Sequence, residues 1–180
     1  MKTRIIFSTL FIAGLFFITG CEEDLLDISQ EFNYEQEIQV YTTDTVMNVT
    51  EVVDMVQYSD LIDKYGDNIK DVSITDVQYW LTQFEGNDTQ EIITSSLKVA
   101  DENVSNAVLI AEIQNQNLNS LVDNPTDLTV EQNGIDQMAE LIKNAPHKFQ
   151  LIFNTACNEG PLNFTVKFKF KVSFTANPVP

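Results

Sequence analysis

The chain reads as all-β: an antiparallel β-sandwich of immunoglobulin-like or related Greek-key type, with one or two short helices. Three observations predict this. Residues 162–176 alternate without a fault, with Leu162, Phe164, Val166, Phe168, Phe170, Val172, Phe174 and Ala176 against Asn163, Thr165, Lys167, Lys169, Lys171, Ser173 and Thr175. Such period-two alternation buries one face over about 50 Å and wets the other, the habit of antiparallel sheets. Shorter alternating runs recur upstream between turn-forming segments, at the spacing of a sandwich. Helical periodicity occurs twice, and briefly both times.

In chain order, Phe32, Tyr34, Ile38 and Val40 with Asn33, Glu35, Glu37 and Gln39 between them predict a half-buried strand, in which Gln36 breaks the pattern. Thr45–Val53 is rich in β-branched residues and predicts a second. Ser59, placed to cap Asp60–Tyr65 before Gly66, predicts a short helix. Residues 71–84 form a long strand whose apolar parity changes from even (Val72, Ile74) to odd (Val77, Tyr79, Leu81). One extra residue flips the faces, so a bulge belongs near Thr75 and Asp76.

After the turn at residues 85–88, Ile93, Ser95, Leu97 and Val99 supply a returning strand, and Ala107, Leu109, Ala111 and Ile113 another, with loops at 101–106 and 114–127. Ile135, Met138, Ala139, Leu141 and Ile142 have the i, i+3, i+4 spacing of an amphipathic helix over about 134–144, ending before Pro146. Phe149, Leu151, Phe153, Thr155 and Cys157 then alternate as the strand that precedes the turn 158–161.

The beginning of the chain has a different character. Lys2 and Arg4 precede an apolar run from Ile5 to Ile18, too short for the roughly 20 residues that span a bilayer and suited to the core of a cleaved export signal. Ile18-Thr19-Gly20-Cys21 is similar to the lipobox of bacterial lipoproteins. That resemblance implies removal of residues 1–20, acylation of Cys21 and a membrane partner held through lipid. Two or three chains, each contributing about 0.8 kcal/mol per buried CH₂, anchor firmly where one does not. Glu22 directly after the cysteine implies the outer membrane, and the cluster Glu22-Glu23-Asp24 resembles a surface-export signal, without the Lys of its usual form. Residues 21–30 are then a lipidated acidic tether and 31–180 the sandwich domain, which resembles small envelope lipoproteins of unassigned function.

Composition bounds the partners. Without residues 1–20 the chain keeps eight basic residues against 27 acidic ones, a net charge of −19. Nucleic acid is therefore not expected, because its binding depends on Lys and Arg displacing counterions. Four of the eight lysines lie beyond residue 146 with only Glu159 to oppose them. If Cys21 is acylated, Cys157 has no partner and no intramolecular disulfide forms.

Chemistry is sparse. The single histidine, His147, reads as solvated or locally bonded, and Cys157 shares parity with buried phenylalanines and reads as an inert thiol. No phosphate loop or dinucleotide fingerprint occurs, so no cofactor and no enzyme activity are expected. Asp101, Asp123 and Asp127 in polar loops are weak calcium candidates without EF-hand spacing. Two features suggest binding surfaces. Trp80, opposite in parity to Tyr79, is free to stack on a sugar or partner unless a second layer buries it. Lys167, Lys169 and Lys171 form a row that pairs with acids on a neighbouring strand, guards an edge, or binds a ligand. The expectation is a membrane-anchored, non-catalytic module that contacts an envelope protein or glycan. The alternatives are a calcium-supported adhesin or carbohydrate-binding domain and, less favoured, a carboxylate-dependent hydrolase.

Overall fold

A computed structural model describes residues 27–177, so the expected signal segment and Cys21 lie outside the described residues. Eight strands follow in order: β1 (Ile28–Thr42), β2 (Val46–Asp54), β3 (Ile69–Phe84), β4 (Glu91–Ala100), β5 (Val108–Asn117), the two-residue β6 (Thr126–Asp127), β7 (Lys148–Cys157) and β8 (Leu162–Ala176). The helices are α1 (Met55–Tyr58), α2 (Asp60–Tyr65) and α3 (Gln132–Lys143). The strands form sheet A, in the order β1-β8-β3-β6, and sheet B, in the order β2-β7-β4-β5, with every strand pair antiparallel.

The expected antiparallel sandwich is present, and its strand order is that of a jelly roll, a Greek-key member of that class. β1 pairs with β8, β2 with β7, β3 with β6 and β4 with β5. A chain folded into one long hairpin about the β4–β5 turn and then rolled up gives this pairing.

β8 lies at the centre of sheet A, between β1 and β3. Its even-numbered side chains from Leu162 to Ala176 are all buried, as the alternation predicts. Across the core, Phe168 meets Phe153 of sheet B edge-on at 5.5 Å and Tyr34 meets Phe149 edge-on at 6.2 Å, while within sheet A Phe168 stacks on Tyr79 at 6.5 Å and Tyr34 on Phe170 at 5.7 Å. Aromatic contacts of this geometry add about 0.5–1.5 kcal/mol to the area they bury. Gln36, the flaw in the first strand, accepts a 2.7 Å hydrogen bond from the Tyr34 hydroxyl, which satisfies a phenol otherwise stranded in the core.

The predicted bulge in β3 is present, with the register shifting between Ile74 and Asp76. Further irregularities correct the expected faces elsewhere. A shift between Ile92 and Thr94 turns Ile93 out to 48% exposure and Ile92 in. Another between Leu97 and Lys98 buries both Ile110 and Ala111 and leaves Ala107 outside. β1 starts at Ile28, so the last three residues of the expected tether are already paired with β8. Ser59 precedes α2 as expected but makes no side-chain cap; the cap belongs to Asp54, whose carboxylate accepts from the Val56 N–H at 3.2 Å and starts α1.

α3 closes the side of the sandwich where β6 is short, packing on β3 and β5 through Ile135, Met138 and Ile142. Its Gly134 faces the β5 backbone so closely that a Cβ would collide with the Leu109 carbonyl. Here glycine is required by backbone approach.

Candidate functional site

The lysine row lies on the outward face of sheet A. Because β8 is a central strand, the row does not guard an edge; it faces a row of glutamates on β1. Lys167 reaches Glu37 Oε1 at 3.0 Å and Glu35 Oε2 at 3.4 Å, and Lys171 reaches Glu31 Oε2 at 3.0 Å. In register, Lys169 stands between Glu35 and Gln78, and Lys171 between Asn33 and Asp76. The bond to Glu37, reinforced by Glu35 and opposed by slight desolvation, holds the Lys167 ammonium above its ordinary range. Water screens these pairs, and each contributes at most about 1 kcal/mol.

Trp80 stands beside Lys167 on the same face, as its parity predicts, and is half-buried. The Lys167 Nζ lies 5.7 Å from its ring centroid, within cation–π reach. Trp80 and the row therefore make one surface, with Lys167 shared between the indole and two carboxylates.

The three acidic loop residues do not assemble. Asp101 organises its own turn: Oδ1 accepts from the N–H groups of Asn103 (3.0 Å) and Ser105 (3.1 Å), and Oδ2 from the Ser105 hydroxyl (2.8 Å). Asp123 donates its N–H to the Leu81 carbonyl at 2.9 Å, and Asp127 accepts from the Gln78 amide at 2.8 Å on sheet A. Among the described residues no three His, Cys, Asp or Glu side chains come together to hold a metal ion.

His147 is bonded and not solvated. It is 7% exposed, and Nδ1 donates to the Ile142 carbonyl at 2.7 Å. Its own carbonyl accepts from the Met55 N–H at 3.0 Å, and a Cβ on Gly66 would sit 2.7 Å from Nε2. The residue ties the end of α3 to the α1–α2 segment. Cys157 is buried, which pushes its thiol up despite an opposing bond from Thr155; a thiol in that state is unreactive.

Sequence reading missed a second surface. On sheet B, the outward side chains of β2 from Val46 to Val52, namely Val46, Asn48, Thr50 and Val52, carry no charge, and neither do Asn154 and Ala156 beside them on β7. Charge returns at Lys98 on β4, at Glu112 on β5 and at the Asp54–Lys148 pair, 3.3 Å apart. A shallow depression of about 230 Å³ lies over Val46, Thr94, Ser96, Asn154 and Ala156. The even-numbered positions of 46–52 held the signal, because they alternate in a chain with 27 acidic residues and never use one.

No family model matches the chain, and no curated protein matches it. Among solved structures it is similar to a chain of desmodium yellow mottle tymovirus (12% identity, TM-score 0.37, covering 83% of this chain and 89% of that one). It is also similar to one of turnip yellow mosaic virus (10%, TM-score 0.40, covering 85% and 96%) and to the decameric BFDV capsid protein (9%, TM-score 0.40, covering 82% and 99%).

Proposed function

We propose that this is a lipid-anchored lipoprotein of the outer membrane, displayed on the cell surface, whose sandwich binds or scaffolds an envelope protein or glycan without catalysing a reaction. The observation that carries this reading is the junction between Cys21 and the first strand. Only residues 22–27 separate the lipobox cysteine from Ile28, a span of about 20 Å when extended. Asp27 is already held at 2.9 Å by Lys70, and Ile28 pairs with Ala176. An anchor so placed holds one end of the sandwich near the bilayer and turns the loops at 43–45, 85–90 and 158–161 away from it. Those loops are stitched together: the buried Gln90 amide donates to the carbonyls of Glu159 (2.8 Å) and Pro161 (3.0 Å), and Asn158 donates to the Thr89 carbonyl (2.9 Å). A stiff outward tip and two dissimilar sheet faces support contact and not turnover.

Mass spectrometry of the mature N-terminus tests the anchor. Acyl chains on Cys21, with loss of membrane association in Cys21→Ala, are expected; an unacylated mature terminus overturns the reading. Proteinase treatment of intact cells reads the side of the membrane, with cleavage expected. Crosslinking in live cells is expected to recover an envelope partner.

A further inference from the structure

Every sandwich has edges whose backbone groups must be covered, paired or guarded. On the α3 side they are covered. Beyond the short β6, Leu128 and Asp123 donate to the β3 carbonyls of Val77 (2.8 Å) and Leu81 (2.9 Å), and Glu131 donates to Ile110 of β5 at 2.7 Å. On the opposite side, β1 is guarded by Glu31, Glu35 and Glu37. Among the described residues that leaves β2, nine residues long, with no lysine or proline and with Glu51 as its one charge before Asp54.

The phase of the β2 ladder shows which groups are free. Thr45 accepts from the Cys157 N–H at 2.8 Å, and Met55 donates to the His147 carbonyl at 3.0 Å. Odd-numbered residues therefore bond to β7, and in an antiparallel ladder the even-numbered ones turn N–H and C=O the other way, to the open edge. The side chains of those same even-numbered residues are exposed, Val46 to 62% and Val52 to 65%.

We propose that this edge pairs with β2 of a second copy of the chain, antiparallel about a two-fold axis at Val49, joining two four-stranded sheets into one of eight. A two-fold contact must be complementary to itself, and Val46-Met-Asn-Val49-Thr-Glu-Val52 nearly is. Val46 falls opposite Val52 of the second copy, Asn48 opposite Thr50, Val49 opposite Val49, and Met47 opposite Glu51. The even-numbered pairs are those with free backbone groups, so about eight hydrogen bonds form across the seam. Within 46–52 no charge meets a like charge directly, which matters in a chain of net charge −17, and the only like charges brought level, Asp44 and Asp54, lie at the two ends, outside the paired segment. The axis stands normal to the sheet, so both copies of sheet A, with their N-terminal strands, lie on one side of the joined sheet. The strands of the two copies run in opposite directions, so their N-terminal ends lie at opposite ends of the seam; pairing therefore sets the joined sheet side-on to a bilayer, through sheet A, in place of the end-on stance of a single anchored copy, and does not depend on acylation.

The test is sedimentation of the full chain in mild detergent across a wide range of concentration. A dimer is expected. Thr50→Pro removes an N–H that faces only the open edge, leaving the β7 ladder intact, and is expected to give a monomer whose melting temperature matches that of the wild-type chain diluted to the monomer. Val52→Lys, at an exposed position that cannot unfold the domain, is expected to weaken pairing at least tenfold. Val49→Cys is expected to crosslink two copies under mild oxidation, because residues on the axis stand about 4.5 Å apart. A wild-type chain that stays monomeric throughout overturns the inference. So does a dimer that survives Val52→Lys, or an edge that captures an extended peptide of another protein and never its own copy.

Discussion

The outward side chains of β8 on sheet A include Lys167, Lys169 and Lys171, interleaved with glutamates of β1, whereas those of β2 and β7 on sheet B run through Val46, Asn48, Thr50, Asn154 and Ala156. Both faces rest on one interior and one strand geometry, so the difference lies in the outward residues alone. Sheet A neutralises itself across strands and leaves little for a partner except Trp80 and its lysine. The stretch of sheet B from Val46 to Val52 on β2, with Asn154 and Ala156 beside it, has neither charge nor self-pairing, and among the described residues β2 ends the sheet in an open edge. In a chain this acidic, the second face is where another macromolecule meets least electrostatic resistance.

The comparison breaks most severely from inside. Phe168→Ala removes a ring that touches both sheets, and the expected cost of about 3–5 kcal/mol, read from urea denaturation, disturbs both faces together; a cost under 1 kcal/mol means that the sheets do not depend on each other. Gly134→Ala comes next. Alanine is the better helix former by about 1 kcal/mol, yet here it collides with the Leu109 carbonyl, and net destabilisation of about 1–3 kcal/mol is expected. A stabilised variant means that α3 packs less closely than described.

Alkaline titration sharpens the contrast further. Burial pushes up the Cys157 thiol and the Tyr79 and Tyr34 phenols, with Tyr58 and Glu51 adding to the rise at Tyr34, and the Glu37 bond raises Lys167. Above its ordinary value each group keeps its proton in the folded chain after the unfolded chain has lost it, so folding stability falls as pH rises. The fall begins near pH 9.0 with Cys157, continues past 10.0 with the tyrosines and past 10.5 with Lys167, and Tyr34, raised furthest, extends it to the highest pH. Tyr34→Phe is expected to flatten part of that fall in a pH series of melting temperatures, and an unchanged slope argues against its burial. The smallest effects lie on the faces themselves. Lys167→Glu, which sets a third carboxylate beside Glu35 and Glu37, is expected to cost about 1 kcal/mol and to be relieved by salt. Thr94→Glu on sheet B is expected to stay within about 0.5 kcal/mol. Equal costs for the two would erase the distinction between the faces.

How far the sequence could be read depended on how each residue takes its place. β8 was legible because side-chain burial alone sets its alternation, and the β3 bulge because a parity change has one simple cause. The last four residues of β5, Gln114–Asn117, read as loop, since their strand is held by backbone bonds to β4 and carries no apolar signal. Ile93 and Ala107 were given the wrong face because their bulges fall where neighbouring apolar residues fit either parity. The partners of the lysine row needed strand order, and so did the burial of His147, which follows from α3 and the α1–α2 segment meeting far from each other in sequence. The open β2 edge was invisible for the same reason: an edge is a property of what fails to lie next door.

One last consequence follows from the unbroken β1–β8 pairing, in which fifteen residues of each strand lie in register from Ile28 opposite Ala176 to Thr42 opposite Leu162. Tension applied between the start of β1 and the turn beyond it runs along the strand, perpendicular to the hydrogen bonds. When the far load is taken by the 158–161 turn that leads into β8, all of those bonds are loaded together in shear, whereas pulling Ile28 and Ala176 apart at the same end would peel them open one by one. The anchor proposed at Cys21, with a pull at the far end of β8, would therefore load the domain in its mechanically strongest direction.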